Sequence, residues 1–428
     1  MPRLPEPRFA PDCTIEVDGT PVAARTGESI AAALVAAGRF VLGRSAKYHR
    51  ARGPFCLAGS CHSCIARVDG VPNQRTCQIP VRAGASVSTQ NAFPTAGQDV
   101  LAAVDHVYPK HLDHHHLMTW SALANRAAVS LSRRLAGAGT LPDAVPAPAL
   151  APAEDRFEAV VIGSGPAGLS AAEALAAARR RVLLVESDGV LGGRLRCGTA
   201  RVGAPPPSWP AEAVRTIRSA GGEAATRHTA IGIWNEGGSP LVLVRDDAHG
   251  PRLRLVRARS IIVATGTHAV PPAFPCNDLP GIFAGRAVAR LLAEDGVVPG
   301  WRCVVGGDAE RPAIAQALRA AGVEVVEAEH LARAVGGKHL RSVVLQDGRR
   351  IRCDALVWCG PRAPAWDLFR AAGGELEQEP QGAWRVRASE GGATAVRGLR
   401  VVGEVVAPMT VAAAIEAGRR TGEAAHGD

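Results

Sequence analysis

Aromatic residues are scarce in this chain of 428 residues, which has two tyrosines, eight phenylalanines and seven tryptophans. Alanine, glycine and valine are abundant instead. Small side chains suit closely packed α/β layers, because they allow helices to approach a sheet. The length is sufficient for two or three domains with substantial cores.

An apolar leader and long hydrophobic runs are also missing. Residues 1–8 are polar and rich in proline, so we expect no secretory signal. The apolar stretch 159–178 contains Gly163, Pro166 and Glu173, which makes it unsuitable as a membrane span. Ten cysteines, four clustered and six scattered, fit a reducing compartment, and we expect a cytoplasmic protein.

The net charge of +9 does not come from a basic block. The arginines are spread along the chain without interleaved aromatic residues, which argues against a nucleic-acid-binding protein. We expect a solvated surface, part of which attracts anionic cofactors or an acidic partner.

Four cysteines form a single array near the start of the chain. Cys56, Cys61, Cys64 and Cys77 are spaced C-x4-C-x2-C-x12-C. A C-x2-C pair can share one tight loop, and the x4 gap lets the first thiolate reach the other side of a [2Fe–2S] cluster. Residues 65–71 have the pattern of a strand entering an Asp-Gly turn, so a hairpin returns the fourth cysteine to the others. We predict that the four thiolates bind a [2Fe–2S] cluster.

A zinc ribbon is the alternative for these cysteines. Structural zinc sites usually have two separated C-x2-C knuckles or Cys/His pairs, whereas this chain has one C-x2-C after the x4 gap. The spacing therefore favours iron and sulfur, and Gly59 would let backbone amides approach the thiolates. Four nearby arginines either raise the cluster potential or serve solubility alone: Arg50, Arg52, Arg67 and Arg75.

The segments around the array predict a β-grasp ferredoxin-like domain over residues 1–90. Residues 14–24 alternate like a hairpin with an Asp-Gly turn, and residues 28–37 have the composition of a helix that stops at a glycine. Residues 91–155 form a predicted, partly helical connector with a proline-rich end. Within it, His111 and His115 would share a helical face, but without nearby cysteines or paired carboxylates we interpret them as polar packing groups rather than metal ligands.

A dinucleotide-binding pattern follows the connector. Gly163, Gly165 and Gly168 form a G-x-G-x-x-G motif between an apolar strand and an alanine-rich helix. The helix N-terminus favours a pyrophosphate, and Glu186, at the end of the next strand, is positioned to accept hydrogen bonds from ribose hydroxyls. Three further segments favour FAD over NAD: Leu-Gly-Gly-Arg at 191–194, a strand ending in Ala-Thr-Gly at 266, and Val-Val-Gly-Glu at 401–404 before a helix.

On these motifs the chain resembles the glutathione-reductase-like flavoproteins with two dinucleotide-binding domains. It is more closely similar to the α subunits of heteromeric amine and opine oxidases. Residues 44–53 and 137–142 resemble segments of sarcosine oxidase α subunits, whose folate-binding C-terminal half has no counterpart in this sequence. The cysteine array is similar to that of hydrogen cyanide synthase and of opine or hydroxyproline oxidases. Relatives often append a cysteine-rich C-terminal module that this sequence lacks, so we expect one cluster.

The resemblance implies a set of FAD contacts in a domain formed by residues 156–295 and 389–428. The implied contacts are Gly163, Gly165, Gly168, Glu186, Gly193, Thr265, Gly266, Gly403 and Glu404. Many relatives have aspartate at the last position, and the longer acid changes its distance to the ribityl chain.

Residues 296–388 are predicted to form a second, NAD-like domain with a degenerate nucleotide site. If Gly306 is the first glycine of its turn, Asp308 and Arg311 replace the second and third. A carboxylate repels a pyrophosphate, and a long side chain prevents close packing of helix and strand. We expect the fold to persist while NAD(P) binding is lost.

The resemblance and the degenerate second site together predict an electron-transfer subunit of a CH–NH oxidoreductase. A FAD-dependent β subunit would oxidise an amine or amino acid such as an opine, sarcosine, proline or hydroxyproline. This chain would relay electrons between flavin and cluster, with no catalytic residue of its own. The substrate, the final acceptor, the stoichiometry and an FMN at a subunit interface stay open.

Three other functions are alternatives to this prediction. A self-contained NAD(P)H-dependent ferredoxin-type reductase needs a working second site, and a non-catalytic scaffold would hold FAD without turnover. A disulfide reductase needs two adjacent cysteines beside the flavin. Cys197 has no companion at short spacing, and Cys353 and Cys359 are expected to be small buried residues beside a strand.

Overall fold

The computed structural model describes residues 3–45, 48–103, 119–135, 141–144, 151–198, 205–236, 239–248, 250, 252–308, 310–380 and 382–426. The histidine-rich segment 111–116 lies outside the described residues. The chain divides into two compact units, one of Met1–Pro146 with Ala269–Pro361 and one of Ala147–His268 with Arg362–Asp428. None of the described helices combines the length and the apolar character that a membrane crossing requires.

The N-terminal part of the first unit contains seven strands and one helix. They are β1 (Cys13–Val17), β2 (Thr20–Ala24), α1 (Ile30–Ala36), β3 (Gly43–Arg44), β4 (Ala51–Arg52), β5 (Ile65–Val68), β6 (Val71–Arg75) and β7 (Ser86–Ser88). Five strands form a mixed sheet in the order β2-β1-β7-β5-β6, and β3 pairs with β4. Both predicted Asp-Gly turns are present, because β1 joins β2 and β5 joins β6 as antiparallel hairpins. A further helix, α2 (Ala122–Leu135), lies in the connector.

Helix α1 begins two residues later than the sequence predicts. The Ser29 side chain accepts a 3.1 Å hydrogen bond from the Ala32 amide and so caps the first turn. Every residue of α1 is buried, because its alanines and leucine pack into the core of this domain.

The described residues in the first part of the second unit form nine strands and two α-helices. They are β8 (Ala153–Arg156), β9 (Ala159–Ile162), α3 (Pro166–Ala177), β10 (Val182–Glu186), α4 (Trp209–Ser219), β11 (Glu223–Thr226), β12 (His228–Glu236), β13 (Ser239–Asp246), β14 (Arg252–Arg257), β15 (Ser260–Val263) and β16 (Thr267–Ala269).

The chain then returns to the first unit and ends in the second. The returning elements are β17 (Ile282–Ala284), α5 (Gly285–Arg290) with a π-helical turn (Leu291–Asp295), β18 (Arg302–Gly307), α6 (Arg311–Ala320), β19 (Glu324–Ala328), β20 (Leu331–Gly336), β21 (Leu340–Leu345), β22 (Arg350–Arg352) and β23 (Ala355–Cys359). The last elements are β24 (Arg362–Pro364), α7 (Asp367–Ala371), β25 (Leu376–Gln378), β26 (Trp384–Val386), β27 (Leu399–Val401) and α8 (Val411–His426).

A five-stranded parallel sheet, ordered β11-β10-β9-β15-β27, organises the second unit. Strands β9, β10 and β15 are buried along their whole length, as expected for parallel strands covered on both faces. Leu169 and Leu175 of α3 pack on one face. Val242 and Val256, from the antiparallel β12–β14 sheet, pack on the other.

A second parallel sheet, ordered β17-β23-β18-β19, lies in the first unit, beside the antiparallel β20-β21-β22 sheet. Its central strands β18 and β23 are mostly buried and are followed by tight turns. Each unit thus contains one strand-turn-helix element of the dinucleotide-binding type, at β9–α3 and at β18–α6.

Candidate cofactor sites

The four cysteines of the array come together as two pairs. Cys61 interacts with Cys56, and Cys77 interacts with Cys64, so that within each pair the pKa of one thiol falls and that of the other rises. Three of the sulfur-bearing residues are buried, and Cys61 is partly exposed. Among the described residues, no three His, Cys, Asp or Glu side chains surround one point that would hold a single metal ion. Two separate pairs suit a cluster in which four thiolates are divided between two irons.

Backbone amides are directed at these sulfurs. The amides of Ala58 and Cys61 each donate a 3.4 Å hydrogen bond to Cys56 Sγ. Amide donors compensate the negative charge of thiolates, so the loop is already arranged for a [2Fe–2S] cluster.

Each pair releases its first proton readily. The hydrogen bond from Cys61 lowers the pKa of Cys56 to about 4, and the bond from Cys77 lowers the pKa of Cys64 to about 7. The same bonds raise the pKa of the two donors. At neutral pH each pair therefore supplies a thiolate, the form that binds iron.

The loop also contacts the C-terminal part of the first unit. The Ala284 amide donates a 3.0 Å hydrogen bond to the Phe55 carbonyl, and Arg290 Nη1 lies 3.4 Å from the Leu57 carbonyl oxygen. These contacts were not predicted, because their partners are more than 200 positions apart in the sequence and no local pattern links them.

A cavity of about 400 Å³ opens beside Cys61. Its polar lining includes Arg44, Arg52, His62 and Gln90. Cys61, the partly exposed cysteine of the array, therefore faces this cavity.

Two of the four arginines predicted near the array are engaged elsewhere. Arg67 Nη1 binds Asp143 Oδ1 at 2.7 Å, and Arg52 Nη1 binds Asp278 Oδ2 at 3.1 Å. Arg50 lies over the Tyr48 ring, with 5.2 Å between the guanidinium carbon and the ring centroid. The role of these arginines at the cluster stays a prediction.

The residues predicted to contact FAD gather at the carboxyl edge of the parallel sheet in the second unit. Strands β10, β9, β15 and β27 are adjacent and parallel. Glu186, Gly163, Thr265 and Gly403 end these strands or follow them within two residues. Ligands of open α/β sheets bind at this edge.

The glycines of the first motif have different structural reasons. Gly163 has a φ of +101°, and a Cβ there would lie 2.4 Å from the Ala264 carbonyl oxygen. A Cβ at Gly168 would lie 1.9 Å from the Gly163 carbonyl oxygen. A Cβ at Gly165 would meet no protein atom within 4 Å. The first and third glycines are thus required by packing, whereas the second leaves room for a ligand at the N-terminus of α3.

Glu186 is held by a residue within the motif. Its carboxylate accepts hydrogen bonds from the Ser164 amide at 2.9 Å and the Ser164 hydroxyl at 2.6 Å. It also accepts one from the Asp188 amide at 2.8 Å. Ser164 was not predicted as a site residue, although its place directly after the first glycine could have indicated it.

The remaining predicted contacts surround the same helix N-terminus. A Cβ at Gly193 would lie 2.9 Å from Gly165 Cα, so the 191–194 loop passes close to the glycine motif. The Thr265 hydroxyl donates a 2.7 Å hydrogen bond to the Ala365 carbonyl, and the Ala365 amide donates to the Gly266 carbonyl at 2.9 Å. The Thr265 side chain thus anchors the start of the returning segment.

Glu404 binds two arginines. Arg194 Nη1 donates to its carboxylate at 2.7 Å, and Arg362 Nη2 lies at 3.4 Å. Arg194 Nη1 also donates to the Met409 carbonyl at 2.9 Å. Arg194 belongs to the quoted Leu-Gly-Gly-Arg segment and could have been predicted. Arg362 could not, because its sequence surroundings have no dinucleotide-binding pattern.

In the second nucleotide turn, the structure places the first glycine one residue later than the sequence interpretation does. Gly307 has a φ of +104°, and a Cβ there would lie 2.3 Å from the Cys359 carbonyl carbon, as at Gly163. Gly306 is still paired within β18, opposite Ala328. Gly307 is therefore the first glycine, and the second and third positions hold Ala309 and Pro312 rather than Asp308 and Arg311. The motif still lacks two glycines.

Arg311 spans this turn and the end of the next strand. Its Nη1 donates to the Gly307 carbonyl at 3.0 Å, and its Nη2 lies 2.6 Å from Glu329 Oε1. Its Nε lies 3.4 Å from Glu327 Oε2. In dinucleotide-binding folds, the acid at the end of the second strand binds a ribose. In this chain the acid at that position, Glu327, forms an ion pair with the Arg311 guanidinium instead.

The scattered cysteines do not form a redox pair in the described residues, and none of them is in a disulfide. Cys353 lies just before β23 and Cys359 is its last residue, and both are buried, as predicted. Burial raises the pKa of Cys353 to about 12, which makes it a poor nucleophile. Cys197 is also buried.

Two family models match the chain. A 2Fe-2S iron-sulfur cluster binding domain covers residues 10–92, and an NAD(P)-binding Rossmann-like domain covers residues 161–218. Subunit HcnA of hydrogen cyanide synthase from Pseudomonas aeruginosa is 41% identical over 86 residues, which are 20% of this chain and 82% of that protein. Sarcosine oxidase subunit alpha from Rhizobium meliloti is 29% identical over 450 residues, covering 95% of this chain and 45% of that protein. The chain belongs to the same family as these subunits.

This α-subunit family accounts for the fold of the whole chain. The crystal structure of L-proline dehydrogenase from P. horikoshii superposes with a TM-score of 0.76 over 98% of this chain and 74% of that chain, at 21% identity. The predicted combination of a [2Fe–2S] domain with an FAD-binding flavoprotein fold is confirmed, and the zinc alternative is not supported. This α subunit spans less than half the length of the sarcosine oxidase subunit that it matches.

Proposed function

We propose that this α subunit relays electrons between FAD and a [2Fe–2S] cluster, in a complex whose partner subunit oxidises an amine or amino acid. The similarity to sarcosine oxidase and opine oxidase subunits supports the class of substrate. Opine, sarcosine, proline and hydroxyproline are the candidates to test first.

The observation that carries the proposal is the second nucleotide turn. Ala309 and Pro312 replace two glycines, and Arg311 binds both the turn and Glu327. A nicotinamide nucleotide would have to displace this ion pair and approach a backbone that lacks the required glycines. The electrons therefore come from a source other than NAD(P)H, and a second subunit is the natural donor.

The residues of this chain bind and orient the cofactors rather than perform proton transfer. We propose that Cys56, Cys61, Cys64 and Cys77 bind the cluster. We also propose that the helix N-terminus at Gly165 and the carboxylate of Glu186 bind the pyrophosphate and a ribose of FAD. When bound, FAD and the cluster supply two-electron and one-electron chemistry.

The test is reduction of the native complex under anaerobic conditions. The complex is purified through a tag on this chain, its co-purifying polypeptides are identified, and each candidate amine is added in turn. We expect loss of the oxidised flavin absorbance and a paramagnetic cluster signal with one amine, in the complex but not in this chain alone.

Two other results would overturn the proposal. Reduction of this chain alone by NADH or NADPH would make it a self-contained reductase. A complex that turns over its amine while the flavin and cluster of this chain stay oxidised would make this chain a scaffold.

A further inference from the structure

The four arginines predicted near the cluster are not equivalent in the structure. Arg52 and Arg67 have carboxylate partners at 3.1 Å and 2.7 Å. Arg75 has no carboxylate within ion-pair distance among the residues that the structure describes, and it is the last residue of β6, two positions before Cys77. Its positive charge is therefore less offset than those of the other two.

Arg75 reaches into the cysteine loop. Its Nη1 donates a 2.7 Å hydrogen bond to the carbonyl of Gly59. Gly59 lies in the loop between Cys56 and Cys61. This hydrogen bond therefore holds the Arg75 guanidinium at the cysteine loop.

We propose that Arg75 raises the reduction potential of the [2Fe–2S] cluster by its charge, which its hydrogen bond to the Gly59 carbonyl holds at the cysteine loop. The inference rests on the proposed function, because it requires the four cysteines to bind the cluster. Net charge is an established determinant of cluster potential. Reduction adds one negative charge, which a nearby guanidinium stabilises.

Arg290 contacts the loop from another side but is a weaker candidate. Its Nη1 lies 3.4 Å from the Leu57 carbonyl, and its Nε lies 2.9 Å from Glu294 Oε2, so its charge is offset.

The test compares Arg75→Gln with Arg67→Gln in the full chain. Both variants remove one positive charge from the same hairpin, but Arg67 binds the Gly70 carbonyl and Asp143 rather than the cysteine loop. The midpoint potential is measured by redox titration of the paramagnetic cluster signal. We expect Arg75→Gln to lower the reduction equilibrium constant about tenfold, which is about 59 mV for a one-electron couple. Arg67→Gln should leave the potential near that of the wild type.

Arg75→Lys keeps the charge, but its ammonium lacks the guanidinium fork that binds Gly59, and we expect an intermediate potential. If Arg75→Gln does not retain its cluster, Arg75→Lys against Arg67→Gln carries the comparison. Equal shifts in the Arg75 and Arg67 variants, or no shift in either Arg75 variant, would overturn the inference. Absence of any cluster from the wild-type protein would instead overturn the proposed function.

Discussion

Arg194 and Glu404 form a largely buried ion pair of 2.7 Å between two loops at the carboxyl edge of the parallel sheet of the second unit. The pair joins the Leu-Gly-Gly-Arg loop, close to Gly165, to the segment after β27, and Arg362 adds a second contact at 3.4 Å. The Glu404 carboxylate thus has a defined structural partner.

Replacement of Glu404 by alanine should destabilise this edge. Two guanidiniums would lose a buried acceptor, which costs about 1–3 kcal/mol in the free energy of unfolding. FAD binding should weaken as well, because the 191–194 loop would lose its anchor. Denaturant unfolding and FAD fluorescence titration measure the two effects. Glu416→Gln, which removes an exposed ion pair on α8, is the control and should change neither. Unchanged FAD affinity in Glu404→Ala would contradict the prediction.

Two glycine variants should separate ligand binding from folding. Gly168→Ala would place a Cβ 1.9 Å from the Gly163 carbonyl oxygen, and we expect a loss of about 1–3 kcal/mol in stability. Gly165→Ala meets no protein atom within 4 Å, so the apoprotein should unfold as the wild type does. Its FAD affinity should nevertheless fall, because the methyl group occupies the space left for the pyrophosphate. Wild-type affinity in Gly165→Ala would show that FAD does not approach this residue.

Substitution of a cysteine of the array should remove the cluster and leave the flavin. Cys77→Ser loses one of the four thiolates, and we expect little acid-labile sulfide and no paramagnetic signal after reduction. FAD content should stay at the wild-type level, because the predicted flavin contacts all lie in the second unit. Cys276→Ser changes an exposed cysteine outside the array and should keep both cofactors. Loss of the cluster in both variants would argue against the assigned ligands.

Ionisation of Asp295 should lower the free energy of unfolding of the first unit as the pH rises. Burial raises the pKa of this carboxyl from 3.8 to about 6, although Arg25 binds it at 2.6 Å. The folded state therefore holds the proton more tightly than the unfolded state. The resulting loss in the free energy of unfolding is absent below pH 3.8 and reaches its full value of about 3 kcal/mol above pH 6.

Asp295→Asn removes that ionisation. We expect the free energy of unfolding of the variant, relative to the wild type, to rise between about pH 4 and pH 6 and to level off above that range. Urea unfolding at several pH values provides the measurement. Asp347→Asn is the control, because hydrogen bonding by the Arg349 amide lowers the pKa of Asp347, and its effect should not rise over this range. A pH-independent difference for Asp295→Asn would refute the prediction.

The features that the sequence predicted well are those whose geometry is set over a few residues. The C-x4-C-x2-C spacing, the Asp-Gly turns and the glycines around Gly163 each specify a short segment of backbone, and the cofactor types follow from them. The helix that begins at Ile30 rather than at residue 28 shows the limit, since the Ser29 cap decides the boundary. The turn at Gly307 shows the same limit. Gly306 and Gly307 are adjacent in the sequence, and packing against Cys359 decides which of them is the first glycine of the motif.

By itself, then, the sequence determined which cofactors this chain has the motifs to bind, because those motifs are local. Only the tertiary structure decided which side chains support the sites. The contacts between Arg75 and Gly59, between Arg362 and Glu404, and between Arg290 and Leu57 join segments that topology brings together. Many arginines and many carbonyls are available to such contacts, and a linear pattern contains no information on which of them meet.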